Sequence, residues 1–144
     1  MFEVVKAIQN DSPGIRNLLT ETDLVVEDID EYIGNFLVIK DEEDNILACA
    51  GFEKYDDIGL LRSVAVSPEL QGKGVGTLLT KSSIKHAKEN GIRSLYLLTE
   101  TAEKFFSKFS FKVLERDEAH PSIKNTYEFQ YACVNTGILM LKNL

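Results

Sequence analysis

The sequence predicts a mixed α/β fold in which helices flank a central, mostly antiparallel sheet of six or seven strands. In the first half, short β-type segments follow one another with polar turns between them, which is typical of an antiparallel meander. In the second half, strands alternate with helices around a glycine-rich loop, which places helices on the faces of the sheet. The 144 residues contain no internal repeat and no Pro/Gly/Ser-rich linker, so one domain spanning 1–144 is expected.

The first half is predicted to contain a strand, two helices and three further strands. Ser12 suits the N-cap of a helix, and Pro13 suits its first position. One apolar face of this helix is formed by Ile15, Leu18 and Leu19. The other elements expected here are a strand at 2–7, a helix at 26–33 and strands at 35–40, 46–54 and 59–66.

The second half begins with a loop at 67–76 that contains alternate glycines. A helix at 77–90 follows it, and Gly91 is the residue best suited to end that helix in a left-handed cap. The remaining elements expected are a strand at 94–98, a helix at 101–109, a strand at 111–114, a helical turn starting at Pro121 and a strand at 136–142.

Composition excludes several classes of protein. The hydrophobic fraction is 44% and the charged fraction 27%, which is ordinary for a soluble globular chain. No apolar stretch approaches the ~20 residues of a membrane span, and 1–6 lack a signal-peptide pattern, so a cytoplasmic location is expected. Cys49 and Cys133 are too few for a disulfide framework and are not spaced for zinc, so no metal is expected.

The net charge of −7 argues against nucleic-acid binding, which requires a basic surface. The first sixty residues carry most of the acidic side chains, and the remainder is net basic. This basic half suits a small polyanion, although two ordinarily solvated faces would give the same pattern. The oligomeric state is left open, with a homodimer as one option.

The loop before the third helix has the features of a phosphate-binding site. Gly72, Gly74 and Gly76 let the backbone approach a ligand closely and turn its N–H groups to one side. The helix N-terminus adds partial positive charge, and Lys73 adds a full one. A P-loop would need a lysine between Gly76 and Thr77, and a dinucleotide fingerprint would need glycine at 77. Both nucleotide motifs are therefore excluded by spacing.

The pattern Gln-x-x-Gly-x-Gly at 71–76, after an apolar strand and Ser-Pro, resembles the acetyl-CoA signature of the GNAT superfamily of N-acetyltransferases. A second segment, Ala-x-x-Phe-Phe-x-Lys-x-x-Phe at 102–111, resembles the motif that follows the family's fifth strand. More narrowly, two segments resemble the arsenic-resistance-type N-acetyltransferases. They are Gly-Phe-Glu at 51–53 and the apolar strand segment at 60–66. The resemblance covers most of the chain.

This resemblance implies an acetyltransferase with acetyl-CoA as co-substrate. Backbone N–H groups of 71–77 would hold the pyrophosphate of CoA, and 64–66 would pair with its pantetheine arm as an added strand. The backbone at Val64 would stabilise the developing oxyanion. The residues so assigned to CoA are Val64, Ala65, Val66, Gln71, Gly72, Lys73, Gly74, Val75, Gly76, Thr77, Thr99 and Phe106. An N-cap role is the alternative for Thr99.

The sequence departs from the family pattern at two positions. Phe106 stands where many members carry a tyrosine that protonates the leaving thiolate, which puts side-chain acid catalysis in doubt. Water can supply that proton, because a CoA thiolate is a tolerable leaving group near neutral pH. Ser110 replaces the usual glycine before the last aromatic residue, and this change is expected to alter a turn and little else.

Direct transfer in a ternary complex requires a neutral acceptor amine. At pH 7, deprotonating a lysine-type amine of pKa ~10.4 costs roughly 4.6 kcal/mol, whereas an α-amine of pKa 7.7–8.0 costs about 1.4 kcal/mol at most. No histidine lies near the motif to help. A small α-amino-acid-like acceptor is therefore predicted.

Candidate acceptor-binding residues lie on the third and fourth strands. A tight turn at 55–58 would put Glu53 opposite Leu60, and strand alternation would then place Glu53, Arg62 and Val64 on one face. Arg62 would grip a carboxylate, phosphinate or arsonate. Glu53 would orient the ammonium or take its proton through water. An ion pair that serves only the fold is the alternative.

Ser63 and Tyr127 complete the candidate acceptor site, with rim packing as the alternative for Tyr127. His86 is expected to be a packed or rim residue, Cys49 a small core residue and Cys133 not a catalytic thiol. Two other functions stay open. One is an acyl-CoA-binding sensor without turnover, and the other is an acetyltransferase acting on a protein terminus or lysine.

Overall fold

The computed structural model describes residues 2–132 and 137–144. Its strands form one seven-stranded sheet in the order β1-β2-β3-β4-β5-β7-β6, in which β4 and β5 are parallel and the other neighbours antiparallel. The strands are β1 Val5–Lys6, β2 Phe36–Lys40, β3 Ile46–Tyr55, β4 Ile58–Val66, β5 Ser94–Thr99, β6 Lys112–Leu114 and β7 Ile138–Asn143. The mixed α/β fold predicted from the sequence is confirmed.

In the described part of the chain, five α-helices and several short helical turns connect these strands. The helices are α1 Ser12–Glu21, α2 Ile29–Tyr32, α3 Val75–Glu89, α4 Glu103–Ser107 and α5 Pro121–Lys124. The 3-10 turns are Gln9–Asp11, Ile33–Asn35, Pro68–Leu70 and Arg116–Glu118, and Glu128–Ala132 forms a π-helical segment.

The apolar residues of the helices are buried against both faces of the sheet. Ile15 of α1 packs in one cluster with Phe36 of β2, and both side chains are fully buried. On the opposite face, Leu79 of α3 packs with Leu37 and Ala48. Each large side chain buried in this way contributes about 1.5–3 kcal/mol. The two layers therefore hold the sheet rigidly around its centre, where β4 lies.

The β3–β4 hairpin has the register predicted from the sequence. Tyr55 pairs with Ile58, and Glu53 pairs with Leu60, across a two-residue turn. Asp56 in this turn has a φ of 56°, a conformation that aspartate tolerates better than most residues. Glu53 and Arg62 consequently project from the same face of the sheet.

A β-bulge in β4 corrects the prediction that Val64 shares this face. Cys49 pairs with Ala65 and Gly51 with Arg62, so one residue of β3 faces two residues of β4. Ser63 lies in the bulge with a φ of 59°. The extra residue reverses the alternation, and Val64 packs with the clusters under α3 instead.

Several element boundaries differ from those predicted. The first helix starts at Ser12 itself, with Asp11 at the N-cap. The helix expected at 26–33 is reduced to α2, because Asp28 has a φ of 65° and cannot continue a right-handed helix. Helix α3 starts two residues before the predicted 77, directly after Gly74. Thr136, the expected start of the last strand, lies outside the described residues.

Within the described part of the chain, no helix has the length and apolar content that crossing a membrane requires.

Candidate active site

The parallel strands β4 and β5 separate at the centre of the sheet. Their pairing runs from Ile58 with Ser94 to Leu61 with Leu97 and stops there. The bulge at Ser63 follows immediately, and such bulges bend a strand away from its neighbour. The β5-facing edge of β4 beyond Leu61 therefore has backbone groups that no strand in the described residues pairs with, as an added ligand strand would need.

A cavity of about 870 Å³ occupies this opening, a size typical of small-molecule sites. Its walls come from the second half of β4, the end of β5, the start of α4 and the loop after α1. The lining residues include Arg62, Ser63, Val64, Thr99, Phe106 and Glu128. The cavity thus brings the β4 bulge and the start of α4 together.

The glycine-rich loop forms a smaller hollow of about 250 Å³ at one end of this cavity. Gly72 and Gly74 have φ values of 81° and 78°, which favour glycine strongly. The two hollows share Val66, Gln71, Gly76 and Phe105, so they form one continuous groove.

The N-terminus of α3 lies at the glycine loop. Its first intrahelical bond is donated by the Leu78 N–H to the Gly74 carbonyl, so the preceding N–H groups are not used within the helix. These groups carry the positive end of a fifteen-residue helix. The side chain of Gln71 donates to the Val66 carbonyl at 3.1 Å and joins the loop to β4. This arrangement suits a bound diphosphate.

The residues predicted to bind CoA, Lys73 excepted, line one or other of the two hollows. Lys73 is an exposed residue of the glycine-rich loop, and the surrounding solvent screens its charge. Thr99 Oγ1 accepts a hydrogen bond from the Ala102 N–H at 3.0 Å, so this side chain both lines the cavity and orders the start of α4.

Glu53 and Arg62 form a buried ion pair beside the cavity. Arg62 Nη1 donates to Glu53 Oε2 at 2.7 Å, and Tyr55 donates its hydroxyl proton to Glu53 Oε1. Burial, followed by the hydrogen bond to Glu53, raises the pKa of Tyr55. Burial also raises the pKa of Tyr32, which is hydrogen-bonded to Tyr55, to about 12. Both tyrosines are therefore neutral near pH 7.

The remaining donors of Arg62 are also used inside the protein. Its Nε donates to Ser63 Oγ at 3.0 Å, and its Nη2 donates to the Glu27 carbonyl at 2.9 Å. The side chain is 1% exposed. The sequence left two roles open for Arg62, which were to bind an acceptor carboxylate or to form an ion pair that serves the fold. These contacts are those of the ion pair. Glu53 does not line the cavity, and both of its oxygens are engaged.

Tyr127 is not among the lining residues of the cavity, and its place in the acceptor pocket stays a prediction. It lies near Glu27, whose charge is the first cause of the raised pKa of the Tyr127 hydroxyl, and its ring is 5.2 Å from that of Tyr131. The backbone turns at this point, and the next residue, Glu128, faces the cavity instead.

Sequence reasoning missed Glu128. Its side chain is buried, and desolvation raises its pKa to about 7, opposed by the charge of Arg62 and reinforced by that of Glu53. No motif or spacing marks it, because it lies more than fifty residues from the glycine loop in the sequence. Residues 22–25 also line the cavity, and no motif marks them in the sequence either.

Cys49 and His86 are buried and do not line the cavity. Cys49 is fully buried, and burial raises the pKa of its thiol to about 12. His86 is buried against Phe52 with ring centroids 5.5 Å apart, and burial lowers its pKa. Cys133 lies outside the described residues. Among the residues that the structure does describe, no cluster of acidic, histidine or cysteine side chains is arranged to hold a metal.

The chain is similar in sequence to known acetyltransferases. The acetyltransferase (GNAT) family profile matches residues 3–111. An uncharacterized N-acetyltransferase of Chlorobaculum tepidum is 30% identical over 93 residues, covering 64% of this chain and 59% of that protein. An amino-acid acetyltransferase of Yersinia enterocolitica is 28% identical over 138 residues, covering 89% of this chain and 31% of that protein.

A solved structure shows the same fold. It is the N-acetylglutamate synthase of Neisseria gonorrhoeae complexed with coenzyme A and N-acetyl-glutamate, with a TM-score of 0.84 and 23% identity. The alignment covers 100% of this chain and 35% of that one. The chain thus spans less than two thirds of the length of these relatives.

Proposed function

Because the chain belongs to the GNAT acetyltransferase family, we propose that it transfers an acetyl group from acetyl-CoA to the amine of a small amino-acid-like acceptor. Residues 1–144 would form a single catalytic domain, and transfer would be direct, within a ternary complex. The narrower resemblance to arsenic-resistance-type enzymes stays a prediction. The similarity to the amino-acid acetyltransferase of Yersinia enterocolitica supports an amino-acid acceptor.

The observation that carries the proposal is the continuous groove from the glycine loop to the β4 bulge. A diphosphate at Gly72 and Gly74 would meet backbone N–H groups and the positive end of α3. From there, an extended arm would run beside the unpaired edge of β4 and bring its thioester to the bulge. The shape and charge of the groove suit one elongated ligand with an anionic end.

The bulge and its surroundings would assist the transfer itself. The backbone N–H at Val64 is the candidate donor to the carbonyl oxygen of the thioester, where negative charge develops during attack. Phe106 lines the cavity and has no proton to give, so water would protonate the thiolate. Ser63, held by Arg62, lines the same wall and is a candidate contact to the acceptor.

The contacts of Arg62 assign it a positioning role. Its guanidinium joins β3, the bulge and the loop after α1, and the last two of these line the cavity. Glu53 would act by holding Arg62. An acceptor carboxylate that bound Arg62 would have to compete with these internal partners.

Free-thiol release tests the proposal. Purified protein mixed with acetyl-CoA and each of the twenty free amino acids should release CoA thiol with at least one of them, and mass spectrometry should show the acetylated product. Acetylation of a peptide lysine with a higher kcat/KM than any free amino acid would contradict the acceptor class. Tight CoA binding without thiol release from any amine or protein would favour the sensor function.

A further inference from the structure

One buried carboxyl group in the cavity has no part in the mechanism above. We propose that the Glu128 carboxylate accepts the proton that the acceptor ammonium must lose before its nitrogen attacks the thioester. The inference rests on the proposed function, because it concerns the acceptor amine of that same site.

Glu128 lies at the acceptor end of the cavity. It shares the cavity wall with Arg62, Ser63 and Val64, which form the bulge where the thioester is expected. The smaller hollow at the glycine loop does not include it. The Glu128 carboxylate is therefore placed to meet the acceptor and not the diphosphate.

The backbone on both sides of Glu128 is held in place. Thr126 Oγ1 donates to the Ile123 carbonyl at 2.7 Å and accepts from the Phe129 N–H at 3.2 Å. Arg116 donates to the Phe129 carbonyl at 3.1 Å, and its guanidinium lies 4.3 Å from the centre of the Phe129 ring. A general base needs this kind of fixed position.

The Glu128 carboxylate differs from that of Glu53 in its hydrogen bonds within the described residues. It accepts no hydrogen bond from any of the described residues, whereas both oxygens of Glu53 have partners. A carboxylate that lines a cavity without such a donor leaves its oxygens open to a donor bound there. An ammonium ion in the cavity would supply the missing donor.

The surroundings of Glu128 raise the pKa of its carboxyl group toward that of an acceptor ammonium. Glu53 on β3 and Arg62 on β4 act on it with opposite sign, and Asp23 and Glu100 are the other charged residues lining the cavity. Burial is the dominant effect and raises the pKa of Glu128 to about 7. An α-ammonium is more acidic than a lysine-type ammonium, so it gives its proton to Glu128 at a lower free-energy cost.

The step balances without any further reactant. The ammonium gives one proton to Glu128, and the freed nitrogen lone pair forms a bond to the acetyl carbon. The carbon–sulfur bond breaks, and its electron pair stays on sulfur. The second proton lost by nitrogen goes to the thiolate through water, and Glu128 later releases its proton to solvent.

The test compares Glu128→Gln with wild type and with Glu118→Gln, a matched change at an exposed glutamate. Thiol release is measured from about pH 5.5 to 9 with acetyl-CoA and the best amino-acid acceptor. CoA affinity is measured by calorimetry, and thermal unfolding confirms that each variant is folded. In wild type, kcat/KM should rise with pH to a plateau above about pH 7, when Glu128 is ionised. General bases typically contribute 10²–10⁴-fold, so E128Q should lose roughly 100-fold or more at pH 7.

The kcat/KM of E128Q should also not rise near pH 7. It should instead follow the ionisation of the free acceptor amine, and the affinity for CoA should be unchanged. E118Q should behave as wild type. If E128Q keeps both rate and pH profile, or raises only the KM for the acceptor, the role of Glu128 is refuted while the proposed function stands. A wild-type protein that releases thiol with no amine would refute both.

Discussion

Arg62 Nη1 lies 2.7 Å from Glu53 Oε2, with both side chains almost completely shielded from water. The pair joins two adjacent strands at the point where the sheet opens, and Arg62 extends the connection to the carbonyl of Glu27. Burial of two charges is favourable only when each has good partners, and here both are satisfied. The ion pair therefore fixes the shape of the acceptor end of the cavity.

Arg62→Ala should lower the free energy of unfolding by about 3–5 kcal/mol, because it leaves the Glu53 carboxylate buried without its cation. Adding Glu53→Ala should restore part of this loss, since the uncompensated charge is then removed. Urea unfolding of both single variants and the double variant measures the coupling. Strictly additive losses would show that the two side chains do not act as a pair.

Gly74→Ala should weaken CoA binding and lower the stability by about 1–2 kcal/mol, since alanine at a φ of 78° is strained. A Cβ at this position meets no protein atom within 4 Å, so it would project into open space beside the loop. Calorimetry with CoA and thermal unfolding measure the two effects. Gly34→Ala is the control, because Gly34 also has open space but no positive φ. Unchanged CoA affinity in G74A would argue against a diphosphate at this loop.

Ser110→Gly should stabilise the protein by about 1 kcal/mol, since Ser110 has a φ of 71° where glycine is unstrained. The turn itself is present, which shows that serine adopts the left-handed conformation here. Ser107→Gly, at the last residue of α4 where φ is not positive, is the matched control and should not stabilise the protein. Differential scanning calorimetry compares the three proteins. A lower Tm for S110G would contradict the strain.

Glu128→Gln should change how stability depends on pH. Because the pKa of Glu128 is raised to about 7, the folded protein keeps a proton that the unfolded chain loses near pH 4.5. The contribution of Glu128 to the free energy of unfolding therefore falls as pH rises from about 4.5 to 7. The complete decrease is about 3 kcal/mol. E128Q does not titrate, so it should be the more stable protein at pH 8 and nearly equal to wild type at pH 4.5. Urea unfolding at both pH values measures the difference, which should not appear with E118Q.

The order of strands and helices was predictable because local pattern and turn chemistry decide it. The hairpin register was predictable for the same reason, since a two-residue turn fixes which residues face each other. Helix ends were less predictable. Asp28, for example, delays the start of the predicted helix through a left-handed conformation that its side chain permits but does not require.

The sequence by itself determined the fold and the glycine loop, because alternate glycines before a helix act through nearby backbone groups. Only the tertiary structure decided the acceptor end of the cavity. The bulge at Ser63 turned Val64 to the other face, although the run from Leu60 to Val66 is compatible with unbroken alternation. Glu128 meets Arg62 and Glu53 only because the chain returns to this place after more than sixty residues. Local preferences act over a few neighbouring residues, whereas burial and the partners of a charge depend on the whole folded chain.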